Sequence, residues 1–212
     1  MLVGERMSRP VITVQPHIQA QEALAMMKKE NVSRFPVVDK RGRMVGLVSQ
    51  VDLLNASPSD ATRLSMWEIN YLMSKITVEK CMTRQVITIT EDTALEEAAR
   101  VMADKQIGGL PVVRDEQVVG MITETDLFKI FLELLGAREP GVRLSVLVPN
   151  APGELATLSK AIFEAGGNIM ALGTFLGESI ENREMVFKVD GIDAKTLEGV
   201  VLPYVDKIVD IR

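Results

Sequence analysis

Residues 46–52, Gly-Leu-Val-Ser-Gln-Val-Asp, return at 120–126 as Gly-Met-Ile-Thr-Glu-Thr-Asp. In both copies an apolar, strand-like run ends in a hydroxyl residue, and a carboxylate follows three positions later. That spacing is the capping box: Ser49 or Thr123 caps a helix, and Asp52 or Asp126 reaches back from the first turn. Working outward, MSRPVITV at 7–14 falls on MTRQVITI at 82–89. Glu22-Ala23 falls on Glu97-Ala98, Met27 on Met102, and Phe35-Pro36-Val37-Val38 on Leu110-Pro111-Val112-Val113. The offset is 75 residues and becomes 74 after the turn around Gly42. A repeat of this length says more about the fold than any single motif.

Each copy reads as strand, helix, strand, strand, helix. The β-branched runs VITV and VITI predict strands. Residues 20–30 and 94–105 have helical apolar spacing, with Ala23, Met26, Met27 and Ala98, Val101, Met102 on one face. FPVVDKRGRMVGLVS and LPVVRDEQVVGMIT predict hairpins, the first turning at Arg41-Gly42. QVDLLNA and ETDLFKIFLELL predict the closing helices. Between the copies, SPSDATRLSMWEINYLMSKI predicts a connecting helix, capped at Ser57 or Ser59 and apolar at Leu64, Trp67, Ile69, Leu72 and Met73.

The pattern changes at Arg138-Glu139-Pro140-Gly141, a break that marks a domain boundary. RLSVLVP then predicts a strand. APGELATLSKAIFEAGG predicts a helix, with Pro152 near its start and Gly166-Gly167 at its end. NIMALGTFL and EMVFKVDG predict strands around a polar turn, residues 193–204 a helix, and DKIVDIR a last strand. The order is that of the split βαβ sandwich. The expected fold class is α+β: a first repeat over 1–57, a linker helix over 58–78, a second repeat over 79–138, and a ferredoxin-like βαββαβ domain over 141–212.

Lys and Arg total 24 against 29 Asp and Glu, a net charge of -5, and neither side of Pro140 is basic. Nucleic-acid binding by phosphate neutralisation needs a basic face and is not expected. Cys81 is the single cysteine and His17 the single histidine. The first excludes a disulfide framework and a cysteine zinc site, and the second a centre of two or three histidines. His17 has no evident partner for acid-base work, and Cys81 reads as a packing residue, so no catalytic or metal-ligating residue is assigned. Aromatics are 4% and methionines number 12, placed on apolar faces, so they read as aliphatic-type core rather than a thioether metal site. No apolar run approaches the roughly 18 residues that span a bilayer. The first residues lack the apolar core of a secretory signal. A cytoplasmic protein is expected.

A capping box alone would account for one Ser/Thr-x-x-Asp. The same geometry also suits a ligand. A helix N-terminus attracts an anion, the hydroxyl adds a contact to phosphate, and a first-turn carboxylate can accept both hydroxyls of a ribose. Two copies in a matched repeat, each after a Pro-Val-Val strand, favour the ligand reading.

On these motifs, residues 7–128 resemble a tandem pair of CBS domains, the Bateman module, whose hallmark is the Gly-h-x-Thr/Ser-x-x-Asp found twice. Residues 141–212 resemble an ACT domain, through Asn150-Ala151-Pro152-Gly153-Glu154-Leu155 and Asn168-Ile169. The combined order is similar to acetoin-utilisation regulatory proteins of the CBS-plus-ACT type.

The resemblance implies an adenosine-containing regulatory ligand (AMP, ADP, ATP, S-adenosylmethionine or NADH) and no cofactor. By transfer, Ser49 and Asp52 define one site, with Arg34 facing phosphate. Thr123 and Asp126 define the other, with Gly109 in place of that arginine. The implied adenine slots are Met82, Ile87 and Ile107 with Asp52, and Met7, Ile12 and Val32 with Asp126. Phosphate-rich nucleotides are therefore expected at the Asp52 site. In the ACT-like part, Asn150, Gly153, Glu154, Leu155, Asn168 and Ile169 are implied to take an amino acid or another small carboxylate. Asn150 stands where that family more usually has Asp. The implied partners are a second copy, through both the CBS pair and the ACT domain, and a target on another chain, with no nucleic acid and no membrane. The rival expectation is a ligand-free dimerisation scaffold for a metabolic enzyme.

Overall fold

The computed structural model describes residues 1–56 and 75–212. The connecting helix expected over 58–78, with its candidate caps Ser57 and Ser59, lies outside the described residues as far as Ser74. The described chain divides into Met1–Leu127 and Phe128–Arg212.

In the first unit each repeat builds one antiparallel hairpin. Strand β1 (Arg34–Val38) pairs with β2 (Met44–Ser49), and β3 (Gly109–Arg114) pairs with β4 (Gln117–Thr123). The register matches across the repeat: Arg34 faces Ser49, Gly109 faces Thr123, and both hairpins slip after the equivalent Val37 and Val112. The turns differ. Gly42, at φ 78, supplies the left-handed position of the first, whereas Asp115 and Glu116 form a two-residue turn with φ of 50 and 65. Positive φ at both central positions is the type I′ turn, which matches strand twist. This is where the repeat loses a residue.

VITV and VITI do not make full strands. Each touches its hairpin at a single parallel bridge, Val14 to Val37 and Ile89 to Val112. Val14 donates to the Pro36 carbonyl at 3.1 Å, and Val38 donates back to Val14. Pro36 and Pro111 have no N–H to extend such a ladder, so the bridge remains one residue long.

Helix α2 (Ala20–Glu30) and its counterpart α5 (Leu95–Lys105) bury Ala20, Ala23, Met27 and Leu95, Ala98, Met102. Both end the same way. Asn31 and Gln106 adopt φ 53, and the next residues, Val32 and Ile107, donate to Met27 and Met102 at 3.0 Å. That six-to-one bond is a Schellman closure.

The repeats exchange their leading segments. The one-turn helix α1 (Val3–Arg6) docks on the second repeat, with Val3 donating to Thr93 at 2.9 Å and Gly4 to Glu91 at 2.8 Å. Its counterpart α4 (Val78–Cys81) docks on the first, with Val78 donating to Ile18 at 2.8 Å and Glu79 to Pro16 at 2.9 Å. Ser8 bridges Met121, and Thr83 bridges Leu47. The first repeat's core of Val14, Met27, Phe35, Val48 and Leu53 accordingly includes Val78 and Met82. Burying an aliphatic side chain of this kind stabilises by roughly 1.5–3 kcal/mol, so the first repeat does not complete its own core.

Helix α3 (Gln50–Asn55) follows β2, and α6 (Glu124–Leu134) follows β4. The division after Leu127 falls inside α6, earlier than the Pro140-Gly141 break. The reason is packing. Beyond the helix, Leu135 lies over Gly173, and Gly136 lies over Ala171 and Lys188.

The second unit is a four-stranded sheet in the order β6-β7-β5-β8, antiparallel throughout. Its strands are β5 (Val142–Pro149), β6 (Asn168–Leu176), β7 (Asn182–Asp190) and β8 (Lys207–Ile211). Helices α7 (Glu154–Glu164) and α8 (Ala194–Val201) complete a βαββαβ order. Their Leu158, Ile162, Leu197 and Val201 bury against Leu144, Val146, Val148, Phe187 and Val189. Pro152 precedes the helix, whose N-cap is Gly153 at φ 100. Among the described residues, no helix is long and apolar enough to cross a membrane.

Candidate functional site

Each hairpin delivers its hydroxyl residue to the start of a helix. Ser49 caps α3: the Asp52 N–H donates to its Oγ at 3.2 Å. In return, the Ser49 N–H and hydroxyl donate to Asp52 Oδ2 at 2.8 and 2.6 Å. At the second box, the Thr123 N–H and hydroxyl donate to Asp126 Oδ2 at 3.0 and 2.7 Å. Both hydroxyl residues thus use Oδ2 of their aspartate, and all four side chains are half-buried. The box is further tied to the segment before the hairpin. Gln50 donates to the Ser33 carbonyl at 2.9 Å, and Glu124 to the Gly108 carbonyl at 3.3 Å.

Arg34 leaves β1 opposite Ser49, but its guanidinium points to the other repeat. A Cβ built on Gly108 would overlap Arg34 Nη2 and stand 3.0 Å from Glu124 Oε2. Arg34 also donates from Nη1 to Ser33 Oγ at 3.2 Å. The arginine matched in sequence to the Asp52 box therefore stands beside the first turn of the Asp126 helix. Only a residue without a side chain at 108 leaves it room. The Gly108-Gly109 pair was visible in the sequence, but Glu124 as a neighbour of Arg34 was not, because the contact crosses the repeat.

Of the residues read as adenine slots, the two methionines cross over. Met82 is buried against Gly46 beside the first repeat's core, and Met7 against Gly120 of the second. Ile12 and Val32 stay with the first repeat's core. Ile107 follows the second repeat's own helix, and Ile87 is 40% exposed. The chain crosses only as far as Ser8 and Thr83, then returns to bridge its own hairpin. Cys81, half-buried, donates to the Thr77 carbonyl at 3.4 Å. Burial, and secondarily the Asp52 charge, pushes its thiol above the ordinary range, which suits a packing residue and disfavours a thiolate nucleophile. Among the described residues, no cluster of three or more His, Cys, Asp or Glu is poised to hold a metal ion.

In the second unit, Asn150 donates to the Ile180 carbonyl at 3.0 Å and accepts from Arg183 at 3.4 Å. Gly153 is open and Leu155 is 41% exposed. Glu154 opens α7, and Ile169 packs against the core. Asn168 is exposed beside Met170. The pairing separates the two asparagines. Pro149, next to Asn150, is level with Asn182 on β7, whereas Asn168 is level with Asp190. At roughly 3.4 Å per residue that is about 27 Å. One chain therefore does not bring Asn150 and Asn168 to a common carboxylate.

Two copies of one hairpin unit, exchanging leading segments and presenting matched Ser/Thr-Asp boxes, define a tandem-repeat module. Residues 3–59 and 78–133 each match the CBS domain family. The chain belongs to that family. Three solved structures show the likeness. The CBS domain pair of protein MJ0100, in complex with 5′-methylthioadenosine and S-adenosyl-L-methionine, is 33% identical with a TM-score of 0.53, covering 66% of this chain and 98% of that one. CBSX2 in complex with AMP is 29% identical with a TM-score of 0.52, covering 62% and 96%. A provisionally assigned acetoin utilization protein (AcuB) from Vibrio cholerae is 28% identical with a TM-score of 0.54, covering 66% and 96%. The chain spans 23%, 32% and 47% of the first curated relatives it matches.

Proposed function

We propose that this chain is a regulatory sensor of adenosine-bearing ligands, read by its CBS pair, with no reaction of its own. The observation that carries this is the doubled box. Ser49 bonds to Oδ2 of Asp52, so helix capping and ribose binding do not compete for the same atom of Asp52. The relatives bound to AMP or to S-adenosylmethionine support an adenosine ligand. Ser49 and Thr123 would face phosphate, and Asp52 and Asp126 the ribose, with Met82 and Met7 beside the adenine.

The C-terminal unit is proposed as an ACT domain, from its βαββαβ order and the open Gly153 turn. Since Asn150 and Asn168 lie at opposite ends of one sheet, a small carboxylate such as an amino acid would meet both only between two copies. A homodimer is part of this reading, as is a target on another chain. The likeness to AcuB supports a role beside acetoin utilisation.

The test is a thermal-shift and calorimetric panel with AMP, ADP, ATP, S-adenosylmethionine, NADH and amino acids. Wild type, Asp52→Asn and Asp126→Asn would be compared; Asn retains a capping oxygen but not the carboxylate. A ligand that binds only the folded chain raises the melting temperature by mass action. A nucleotide shift weakened in one variant supports the sensor. No nucleotide shift in wild type refutes it and favours the scaffold.

A further inference from the structure

The register place opposite the first box holds an arginine, and its equivalent opposite the second does not. The repeat equivalent of Arg34 is Gly109: the two residues hold the same register place, opposite Ser49 and Thr123. The guanidinium of Arg34 is rooted opposite the first box and lies over Gly108, next to Glu124 of the second. Its hydrogen bond goes to the exposed Ser33 hydroxyl. It is half-buried, on a side chain long enough to turn from one box to the other.

The boxes also differ in charge. The first turn of α3 holds one carboxylate, Asp52, whereas that of α6 holds two, Glu124 and Asp126. A phosphate at the second box would face Glu124, and Arg34 in its observed place offsets that charge. A phosphate at the first box would draw Arg34 back toward Ser49 and leave Glu124 uncompensated.

We infer that Arg34 is a shared phosphate ligand of the two sites, so that a phosphate-bearing nucleotide gains it at one box only at the other's expense. This rests on the nucleotide reading above. Occupancy of one box by a nucleoside phosphate then lowers the affinity of the other for a second phosphate, and the lowering is reciprocal. A nucleoside without phosphate has no claim on Arg34 and is the class that can occupy the remaining box.

The experiment is calorimetric titration of the full chain with AMP and with adenosine. Asp52→Asn and Asp126→Asn each leave one intact box, and Arg34→Ala is placed in both backgrounds. A charge-assisted bond is worth enough that its loss weakens AMP by about 10- to 100-fold. Sharing requires that weakening in both backgrounds, on AMP and not on adenosine. Gly108→Ala, which fills the space under the guanidinium, is expected to tighten AMP at the first box and weaken it at the second. If Arg34→Ala weakens AMP in one background alone, the arginine belongs to a single site; sharing fails while nucleotide sensing stands. If wild type takes up neither AMP nor adenosine, both fail.

Discussion

Replacing Gly46 by alanine is expected to destabilise the CBS pair more than replacing Gly120, although the two glycines are repeat equivalents. A Cβ on Gly46 would stand 2.6 Å from Met82 Sδ and 2.9 Å from the Thr83 carbonyl oxygen. That carbonyl accepts from Leu47 at 2.9 Å, and Thr83 donates back at 2.8 Å. The oxygen cannot retreat without stretching the bridge by which the second repeat's leading segment holds the first. A Cβ on Gly120 would overlap Met7 Sδ and lie 2.9 Å from its Cγ and 3.0 Å from its Cε. All three atoms belong to one flexible side chain that can change rotamer. Overpacking a well-filled site costs roughly 1–3 kcal/mol. We place Gly46→Ala at the upper end, about 3 kcal/mol, and Gly120→Ala at the lower, about 1 kcal/mol. At about 2–4 °C per kcal/mol for a chain of this size, the melting temperatures should differ by roughly 4–8 °C. Urea denaturation followed by circular dichroism measures both. A double-mutant cycle adds a check. Met7→Ala should couple with Gly120→Ala, their combined loss falling below the sum. Met82→Ala should relieve Gly46→Ala only in part, because the Thr83 carbonyl stays. Equal losses for the two glycines, or a larger one at Gly120, would refute the reasoning.

Glu116→Gly, which completes an Asp-Gly type I′ turn, should stabilise by about 0.5–1 kcal/mol, since Glu116 holds φ 65; chemical denaturation reads it. Cys81 should react with iodoacetamide more slowly than a free thiol at pH 8, and Asp52→Asn should speed it, because the Asp52 charge helps hold the thiol protonated; mass spectrometry follows the rate. Asp193 caps α8 by accepting from the Thr196 N–H at 2.9 Å, and that bond, with the Thr196 hydroxyl, holds its carboxyl below the usual range. A carboxyl lowered in the folded state stabilises above its ordinary pKa, and the benefit is lost as pH falls through the lowered value. Asp193→Ser should therefore flatten the acid limb of the melting curve of the second unit while keeping a cap.

What depends on neighbours along the chain was legible in the residues alone. The doubled box, the helix over 20–30, the hairpins and the βαββαβ order all follow from local periodicity, turn chemistry and capping, and the structure reproduces them. Ser49 and Asp52 could be named as a unit because three residues of spacing bring them together in any helical first turn. Contacts that cross the repeat or the sheet were set by the folded arrangement. Val3 read as part of the first repeat and Val78 as the end of the linker, yet Val78 completes the first repeat's core and Val3 is buried in a segment hydrogen-bonded to the second. Arg34 read as the partner of the box beside it, and the bare Gly108 leaves room for its guanidinium beside Glu124 of the other. Asn150 and Asn168 read as residues of one ligand site, and it is antiparallel register that sets them beside opposite ends of β7. Spacing along a chain fixes contacts within one turn of helix or one hairpin; which side chains meet beyond that is set by how separate elements pack.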